Sequence, residues 1–313
     1  MARPRQTYAV IGDPVAHSLS PRIFARFFAE LGIDAHYTAF RVTPEELSAT
    51  IDRVRRGSIA GLSVTIPHKL EAARLVDALH PIAARIGAVN CVAPAREGAA
   101  RGFNTDALGF RLALERSGIR LPASRMVLLG AGGAARAAAF AAVDAGAKGL
   151  VIVNRDPERA CRLGLELVAQ GRAWPEGELL RCWEATRPQG AALGGPSGKC
   201  FVAALPLDAL ELSHPLAHAD ALVNATSAGL GDADADPLPR GCEVGDHLTV
   251  LDMVYRPLAT ALVRRAEASG ATVVDGLWML LHQANEQLQV WTGRRAPDAL
   301  LAHLHDELAE ACA

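Results

Sequence analysis

Apolar positions along the chain alternate between short unbroken runs and a spacing of three and four, the signature of strands alternating with helices. Tyr8-Ala-Val-Ile-Gly12 reads as a buried strand followed by a polar loop. Ser20-Pro21 opens a helix, with Ser20 as N-cap and proline at the first helical position. Ile23, Phe27, Phe28 and Leu31 then fall on one helical face. A strand from Ala35 to Val42 follows, and Thr43-Pro44 starts a helix that runs through Arg55 and is stopped by Gly57. Ile59 to Val64 reads as strand, and Pro67 starts another helix toward Ala78. Strands near Val89 and Arg101 complete a first α/β unit.

Leu108 to Ser117 is helical and leads to a second unit. There Arg125-Met-Val-Leu-Leu129 forms a short apolar strand that runs directly into Gly130-Ala-Gly-Gly-Ala-Ala-Arg136. An alanine-rich helix to about Gly146, a strand from Gly149 to Asn154 and a helix from Pro157 to Gln170 follow. This is a βαβ unit, which implies parallel strands and a right-handed crossover. Further strand-like runs are Ala221 to Ala225, Thr249 to Met253 and Thr272 to Val274. Between Ala185 and Lys199 lies a stretch rich in Gly, Pro and Gln that reads as a surface insertion. Two closing helices, Leu277 to Trp291 and Pro297 to Ala311, have no strand after them. The fold class is α/β with two lobes.

A length of 313 residues fits two domains. With 50% hydrophobic and 21% charged residues the chain has ample core and does not read as disordered. The 32 Lys+Arg against 34 Asp+Glu leave a formal net charge of −2 and no basic block, which argues against a nucleic-acid partner. No apolar run is long enough for a membrane span. The basic start is followed by too short an apolar stretch to read as a secretion signal. The six cysteines form no C-x-x-C pair. A reduced, cytoplasmic protein without a metal site is the reading.

The loop Gly130-Ala131-Gly132-Gly133-Ala134-Ala135 obeys G-x-G-x-x-G/A after a strand and at the opening of a helix. Glycines there permit a tight turn and a close approach of backbone N–H groups to a pyrophosphate, which the helix N-terminus also favours. NAD binders place Asp or Glu at the end of the next strand, to bond the ribose hydroxyls. Here Asn154-Arg155 stands instead, with Arg159 one turn further on. Guanidinium groups suit a 2′-phosphate, so NADP(H) is favoured over NAD(H). A dehydrogenase also needs a proton donor or acceptor beside the carbon that exchanges hydride. Lys69, in Ser63-Val-Thr-Ile-Pro-His-Lys69, stands where a strand leads into a helix and suits that role. The neighbouring His68 is its rival, and these residues alone do not decide between them.

Taken in order, the motifs resemble the shikimate dehydrogenase family nearly end to end. They are Tyr8-Ala-Val-Ile-Gly-Asp-Pro-Val-Ala-His-Ser-Leu-Ser-Pro21, Val64-Thr-Ile-Pro-His-Lys69, Gly87-Ala-Val-Asn90 and Asn104-Thr-Asp106. Gly130-Ala-Gly-Gly-Ala134, Asn154-Arg155, Asn224-Ala-Thr-Ser227, Asp252-Met-Val-Tyr255 and Asp275-Gly-Leu-Trp-Met-Leu-Leu-His-Gln283 continue the series. The resemblance implies reversible, NADP-dependent interconversion of 3-dehydroshikimate and shikimate, in aromatic amino-acid biosynthesis. It implies a substrate-binding and catalytic domain over 1–105, completed by helices 276–313 that pack back on it. A Rossmann-type NADP-binding domain would span 106–275. The expected partners are small molecules alone, with the chain a monomer or homodimer.

Carried over position by position, the resemblance makes Lys69 the catalytic proton donor and acceptor and Asp106 its partner, which also bonds a substrate hydroxyl. Ser18, Ser20 and Tyr255 match residues that hold the substrate carboxylate. Thr65, Asn90 and Gln283 match residues that bond ring hydroxyls. Thr226, Ser227, Met253 and Gly276 match positions lining the nicotinamide end. The chain departs from the family pattern at Ser63, where Asn often precedes Val-Thr, at Asp156 after Asn-Arg, and at Trp278, where small residues occur. The stretch from about Gly171 to His218 is also longer than usual. Two other readings are an NAD-dependent quinate/shikimate dehydrogenase and a non-catalytic sensor or repressor domain on the same fold. Retention of Lys69 and Asp106 speaks against the second.

Overall fold

Two sheets organise the chain in a computed structural model, which describes residues 5–171, 173–175 and 200–312. The expected insertion at 185–199 lies outside the described residues. The chain divides into two units, Met1–Gly109 with Leu280–Asp306, and Phe110–Met279 with Glu307–Ala313.

The first unit contains β1 (Gln6–Gly12), α1 (Ser20–Glu30), β2 (Ala35–Arg41), α2 (Leu47–Arg55), β3 (Gly61–Val64) and α3 (Lys69–Leu75). It continues with β4 (Ala78–Leu79), α4 (Pro81–Ile86), β5 (Cys91–Pro94), β6 (Ala100–Phe103) and the start of α5 (Asp106–Arg116). Its sheet is mixed, in the order β2-β1-β3-β5-β6-β4. The crossovers through α1 and α2 keep β1 parallel to β2 and β3, whereas β5 runs antiparallel to both β3 and β6. Ile11, Ile51, Ile59, Leu62, Val89 and Val92 form its core.

Several predicted boundaries shift, each for a local reason. Ser20 is the first residue of α1 rather than its cap, and the Ser18 hydroxyl accepts the Ser20 N–H at 3.3 Å. The helix expected from Thr43-Pro44 begins only at Leu47, after a turn in which the Glu46 carboxylate accepts the Thr43 N–H at 2.9 Å. Ile59 is not yet strand, because its N–H still reaches back to the Arg53 carbonyl. The helix expected from Pro67 starts at Lys69 and stops at Leu75, and Ala78–Leu79 pairs with β6 instead of extending it.

The second unit contains β7 (Arg125–Leu129), α6 (Gly133–Asp144), β8 (Gly149–Asn154), α7 (Pro157–Ala169), β9 (Ala173–Pro175) and β10 (Cys200–Pro206). Then follow α8 (Ala209–His218), β11 (Ala221–Asn224), β12 (Thr249–Asp252), α9 (Ala261–Ser269) and β13 (Thr272–Val274). Its sheet has the order β13-β12-β11-β7-β8-β10-β9, with every pair parallel. The chain steps outward from β7 in one direction and then returns to build the other half from β11. That reversal is where doubly wound folds bind ligands. Sequence reading missed β10 and α8: both fall in the 171–218 stretch, yet β10 pairs along seven residues and belongs to the sheet, so they are not insertion. The chain closes with α10 (Gly276–Thr292) and α11 (Asp298–Cys312).

In the first unit, the later part of α10 lies on the mixed sheet. Trp291 donates its indole N–H to the Val92 carbonyl at 3.1 Å, and its ring covers Gly61 so closely that a Cβ there would overlap it. Tyr8, Phe24 and Tyr37 surround the same indole.

Candidate active site

Lys69 opens α3 and Asp106 opens α5, so both side chains come from helix N-termini in the first unit. That placement suits the carboxylate, which gains from the partial positive charge of a helix start. Lys69 Nζ donates to Asp106 Oδ2 at 2.6 Å, with the lysine side chain 14% and the aspartate 6% exposed. The other carboxylate oxygen accepts the Asn90 amide at 2.6 Å. Asn90 is itself held by the Thr105 backbone N–H, which donates to Asn90 Oδ1 at 2.7 Å. Both carboxylate oxygens therefore have a donor, so the buried charge is compensated.

Gln283 arrives from α10 and accepts from Asn90 Nδ2 at 3.3 Å. Thr65 sits just past β3, with its N–H on the Ile11 carbonyl at 2.9 Å. A Cβ on Gly12 would meet the Thr65 methyl at 2.5 Å, so the end of β1 comes this close only as glycine. Ser20 is buried, and its hydroxyl partners the Tyr37 phenol. Desolvation pushes that phenol far above its ordinary pKa, so it stays protonated. The structure thus brings Lys69, Asp106, Asn90 and Gln283 into one hydrogen-bonded group.

His68 is not part of that group. Its ring is buried at 2% exposure, and Nε2 lies 2.7 Å from the Val42 carbonyl, which can only accept a proton. Residues that sequence reading missed are Thr105, Gln287 and Tyr37. Only Gln287 left a signal, standing one helical turn beyond Gln283.

In the second unit the loop after β7 is built on Gly130, whose φ of +112° only glycine adopts readily. A Cβ there would also meet the Ala225 carbonyl at 3.0 Å, so this turn nests against the one after β11. Ala131 continues the turn. Gly132 is the extended residue before α6, and a Cβ on it would enter open space. Gly133 and Ala134 begin the helix, where the first N–H groups have no intrahelical acceptor. Register places Leu129 beside Val153 and Asn224, so Gly130, Asn154 and Ala225 leave the same sheet edge. A cradle of this kind fits a pyrophosphate.

Past Asn154, the two arginines differ. Arg155 is exposed and lines a surface cavity of about 750 Å³ with Pro206, Leu207, Asp208, Leu210 and Glu211. Among the described residues it has no carboxylate within ion-pair distance. Arg159 is paired with Asp156 at 3.4 Å. Asp156 also caps α7 by accepting the N–H groups of Glu158 and Arg159. The acidic departure from the family pattern is therefore engaged by its own helix.

The loops after β11 and β12 share a buried frame. Asn224 donates to Asp252 at 2.9 Å and accepts from the Thr226 hydroxyl at 2.7 Å, and Thr260 donates to Asp252 at 2.7 Å. Burial pushes the Asp252 carboxyl above its ordinary value. Ser227 is exposed just beyond Thr226. Met253 follows β12, and its carbonyl would lie 2.7 Å from a Cβ on Gly276, which fixes glycine at the start of α10. Tyr255 lies two residues beyond Met253, with its phenol pushed up by burial. Trp278 places its ring 3.4 Å from the Arg116 guanidinium carbon, a cation–π stack.

The shikimate dehydrogenase substrate-binding domain matches residues 10–92, and the shikimate 5′-dehydrogenase C-terminal domain matches residues 276–301. A shikimate dehydrogenase (NADP(+)) from Halorubrum lacusprofundi is 43% identical over 307 residues, covering 96% of this chain and 98% of that protein. The chain belongs to the shikimate dehydrogenase family. Among solved family structures, the shikimate 5-dehydrogenase of Thermus thermophilus in complex with NADP(H) and shikimate is similar at a TM-score of 0.78 and 36% identity. That match covers 98% of this chain and 100% of the other. The Listeria monocytogenes shikimate 5-dehydrogenase, in complex with shikimate and NAD, has a TM-score of 0.79 at 28% identity, covering 96% of each chain. Among the described residues no helix is long and apolar enough to cross a membrane.

Proposed function

We propose that Lys69 exchanges the proton, and Asp106 orients it, in the reversible NADPH-dependent reduction of 3-dehydroshikimate to shikimate. The observation that carries the assignment is the 2.6 Å contact between Lys69 Nζ and Asp106 Oδ2, with Asn90 on the other carboxylate oxygen. In the oxidative direction Lys69 takes the hydroxyl proton as hydride leaves the same carbon; in reduction it returns that proton to the forming alkoxide. Asp106 keeps the ammonium aimed and accepts a ring hydroxyl, which Thr65, Asn90 and Gln283 help to hold. Such a set of neutral and charged partners discriminates strongly, because a missing hydroxyl leaves a buried group unpaired. Ser18, Ser20 and Tyr255 hold the substrate carboxylate.

NADP(H), when bound, supplies or accepts the hydride. The N–H groups from Gly130 to Ala134 hold its pyrophosphate, and Asn154 and Arg155 hold the adenosine end with its 2′-phosphate. Arg159 supports that end by engaging Asp156. Thr226, Ser227, Met253 and Gly276 line the nicotinamide end. In this reading 1–105 with 276–313 is the substrate and catalytic domain and 106–275 the NADP domain. The enzyme works in the cytoplasm as a monomer or homodimer, a location favoured by six scattered cysteines that form no C-x-x-C pair.

The test is turnover of the purified protein with shikimate or quinate, each crossed with NADP+ or NAD+, followed by absorbance of the reduced nicotinamide. Shikimate with NADP+ is expected to give the highest kcat/KM. Equal use of both cofactors, or preference for quinate, overturns the assignment of substrate and cofactor.

A further inference from the structure

Three buried carboxamides lie beside the Lys69–Asp106 pair, and backbone groups determine which way each one faces. Asn90 accepts the Thr105 N–H through Oδ1, so its NH2 turns toward Asp106. Gln287 donates through Nε2 to the Asn90 backbone carbonyl at 3.2 Å, so its oxygen turns the other way, toward the Ser63 hydroxyl, which donates to it. Gln283 donates through Nε2 to the Leu280 carbonyl at 3.0 Å. Its own oxygen then receives Gln287 Nε2 at 2.8 Å and Asn90 Nδ2 at 3.3 Å. A carbonyl oxygen has two lone pairs, and both are engaged. Behind Gln287, Ser63 accepts from the Tyr37 phenol at 2.5 Å, which completes the chain of donors.

We infer that Gln287 is a positioning residue for substrate recognition: it holds Gln283 with its oxygen turned inward, so that Gln283 meets a ring hydroxyl only as a hydrogen-bond donor. Among the described residues, the second N–H of Gln283 is the one polar hydrogen of that amide without a protein acceptor. Flipping Gln283 would set two NH2 groups, those of Asn90 and Gln287, against a third. It would also place an amide oxygen on the Leu280 carbonyl. A ligand oxygen presented here is therefore recognised through its lone pair, and a ligand N–H in the same place is rejected. Gln287 is 1% exposed, so it acts through Gln283 and not by touching substrate. The Ser63 departure from the family pattern belongs to this device, since a hydroxyl at that position fixes the oxygen of Gln287. The inference rests on the reading of Gln283 as a ring-hydroxyl ligand.

A double-mutant cycle tests it, using shikimate Kd, KM and kcat together with the KM for NADP+ and the melting temperature of each variant. Gln287→Met keeps length and volume but removes the donor to Gln283. It is expected to raise shikimate Kd and KM about tenfold, the size of one net hydrogen bond, while leaving NADP+ KM unchanged. In a Gln283→Ala background the same substitution should change shikimate Kd by less than about twofold, because the group it positions is gone. Ser63→Ala removes the hydrogen bond behind Gln287, together with the acceptor of the Tyr37 phenol, and should raise shikimate KM in the same direction by a smaller factor. It carries the test alone if Gln287→Met does not fold. Additive effects of Gln283→Ala and Gln287→Met on Kd overturn the inference, as does a melting-temperature drop with unchanged shikimate Kd in Gln287→Met and Ser63→Ala. If Gln283→Ala by itself leaves shikimate Kd unchanged, the ligand assignment of Gln283 has failed instead.

Discussion

Replacing Lys69 by alanine separates the chemical step from binding. A positioned general base or acid contributes about 10²–10⁴ in rate. At 1.36 kcal/mol per decade this is roughly 2.7–5.5 kcal/mol of transition-state stabilisation. The structure also bounds the cost to folding. The substitution takes one donor from Asp106, but Asn90 Nδ2 still donates to that carboxylate at 2.6 Å, and the α5 N-terminus still faces it. The loss should therefore be about 1–3 kcal/mol, below the 3–5 kcal/mol typical of stranding a buried charge. Lys69→Ala should thus remain folded, bind shikimate in a titration, and lose two to four decades in kcat measured by NADPH absorbance. His68→Ala should show the reverse pattern, with lower stability and kcat within a few-fold, because its ring is buried on the Val42 carbonyl. Near-normal kcat in Lys69→Ala, together with abolished turnover in a folded His68→Ala, would refute the reasoning.

Arg155→Ala should raise KM for NADP+ by about 10- to 100-fold, the worth of a charge-assisted contact, with shikimate KM unchanged; an unaltered KM for NADP+ would remove Arg155 from the phosphate site. Ser18→Ala and Tyr255→Phe should each weaken shikimate binding by about tenfold or more while NADP+ titrations stay the same, and unchanged shikimate affinity in both would dismiss the carboxylate assignment. For Asp77, the Arg55 guanidinium and then the Ala100 N–H lower the carboxyl pKa in the folded state. Its contribution to stability is present above the unfolded carboxylate value of about 3.9 and is lost as pH falls through the lowered folded value. Asp77→Asn should therefore melt below the parent at pH 7, with the gap closing in strong acid; a gap constant across pH would contradict this.

Much of the architecture was legible from local pattern. The β7–Gly130–α6 turn, the alternation of strands and helices, and the Asn154-Arg155 pair after β8 depend on neighbours in sequence, and periodicity and glycine placement carry that information. Boundaries were less legible. Whether Ser18 or Ser20 supplies the hydroxyl at the start of α1, and where α2 begins, depends on turns that side-chain acceptors stabilise. β10 and α8 were hidden because they follow a long stretch without periodicity.

The sequence alone determined which chemistry-bearing residues this protein has: a lysine at the start of α3, an aspartate at the start of α5, and a glycine turn shaped for phosphate. Only the tertiary structure decided how they are used. Lys69 and Asp106 are 37 positions apart, Asn90 and Gln283 are 193, and Ser63 and Gln287 are 224. No helical or strand period links such positions: Lys69 and Asp106 meet where α3 and α5 begin, and the other two contacts are made by packing α10 on the mixed sheet. The same packing makes Gly61 a requirement of Trp291, and it assigns Asn90, Gln283 and Gln287 their facing directions. An amide side chain is donor and acceptor at once, so its sequence position is silent about which end it presents. Backbone carbonyls and N–H groups that meet it only in the folded state make that choice.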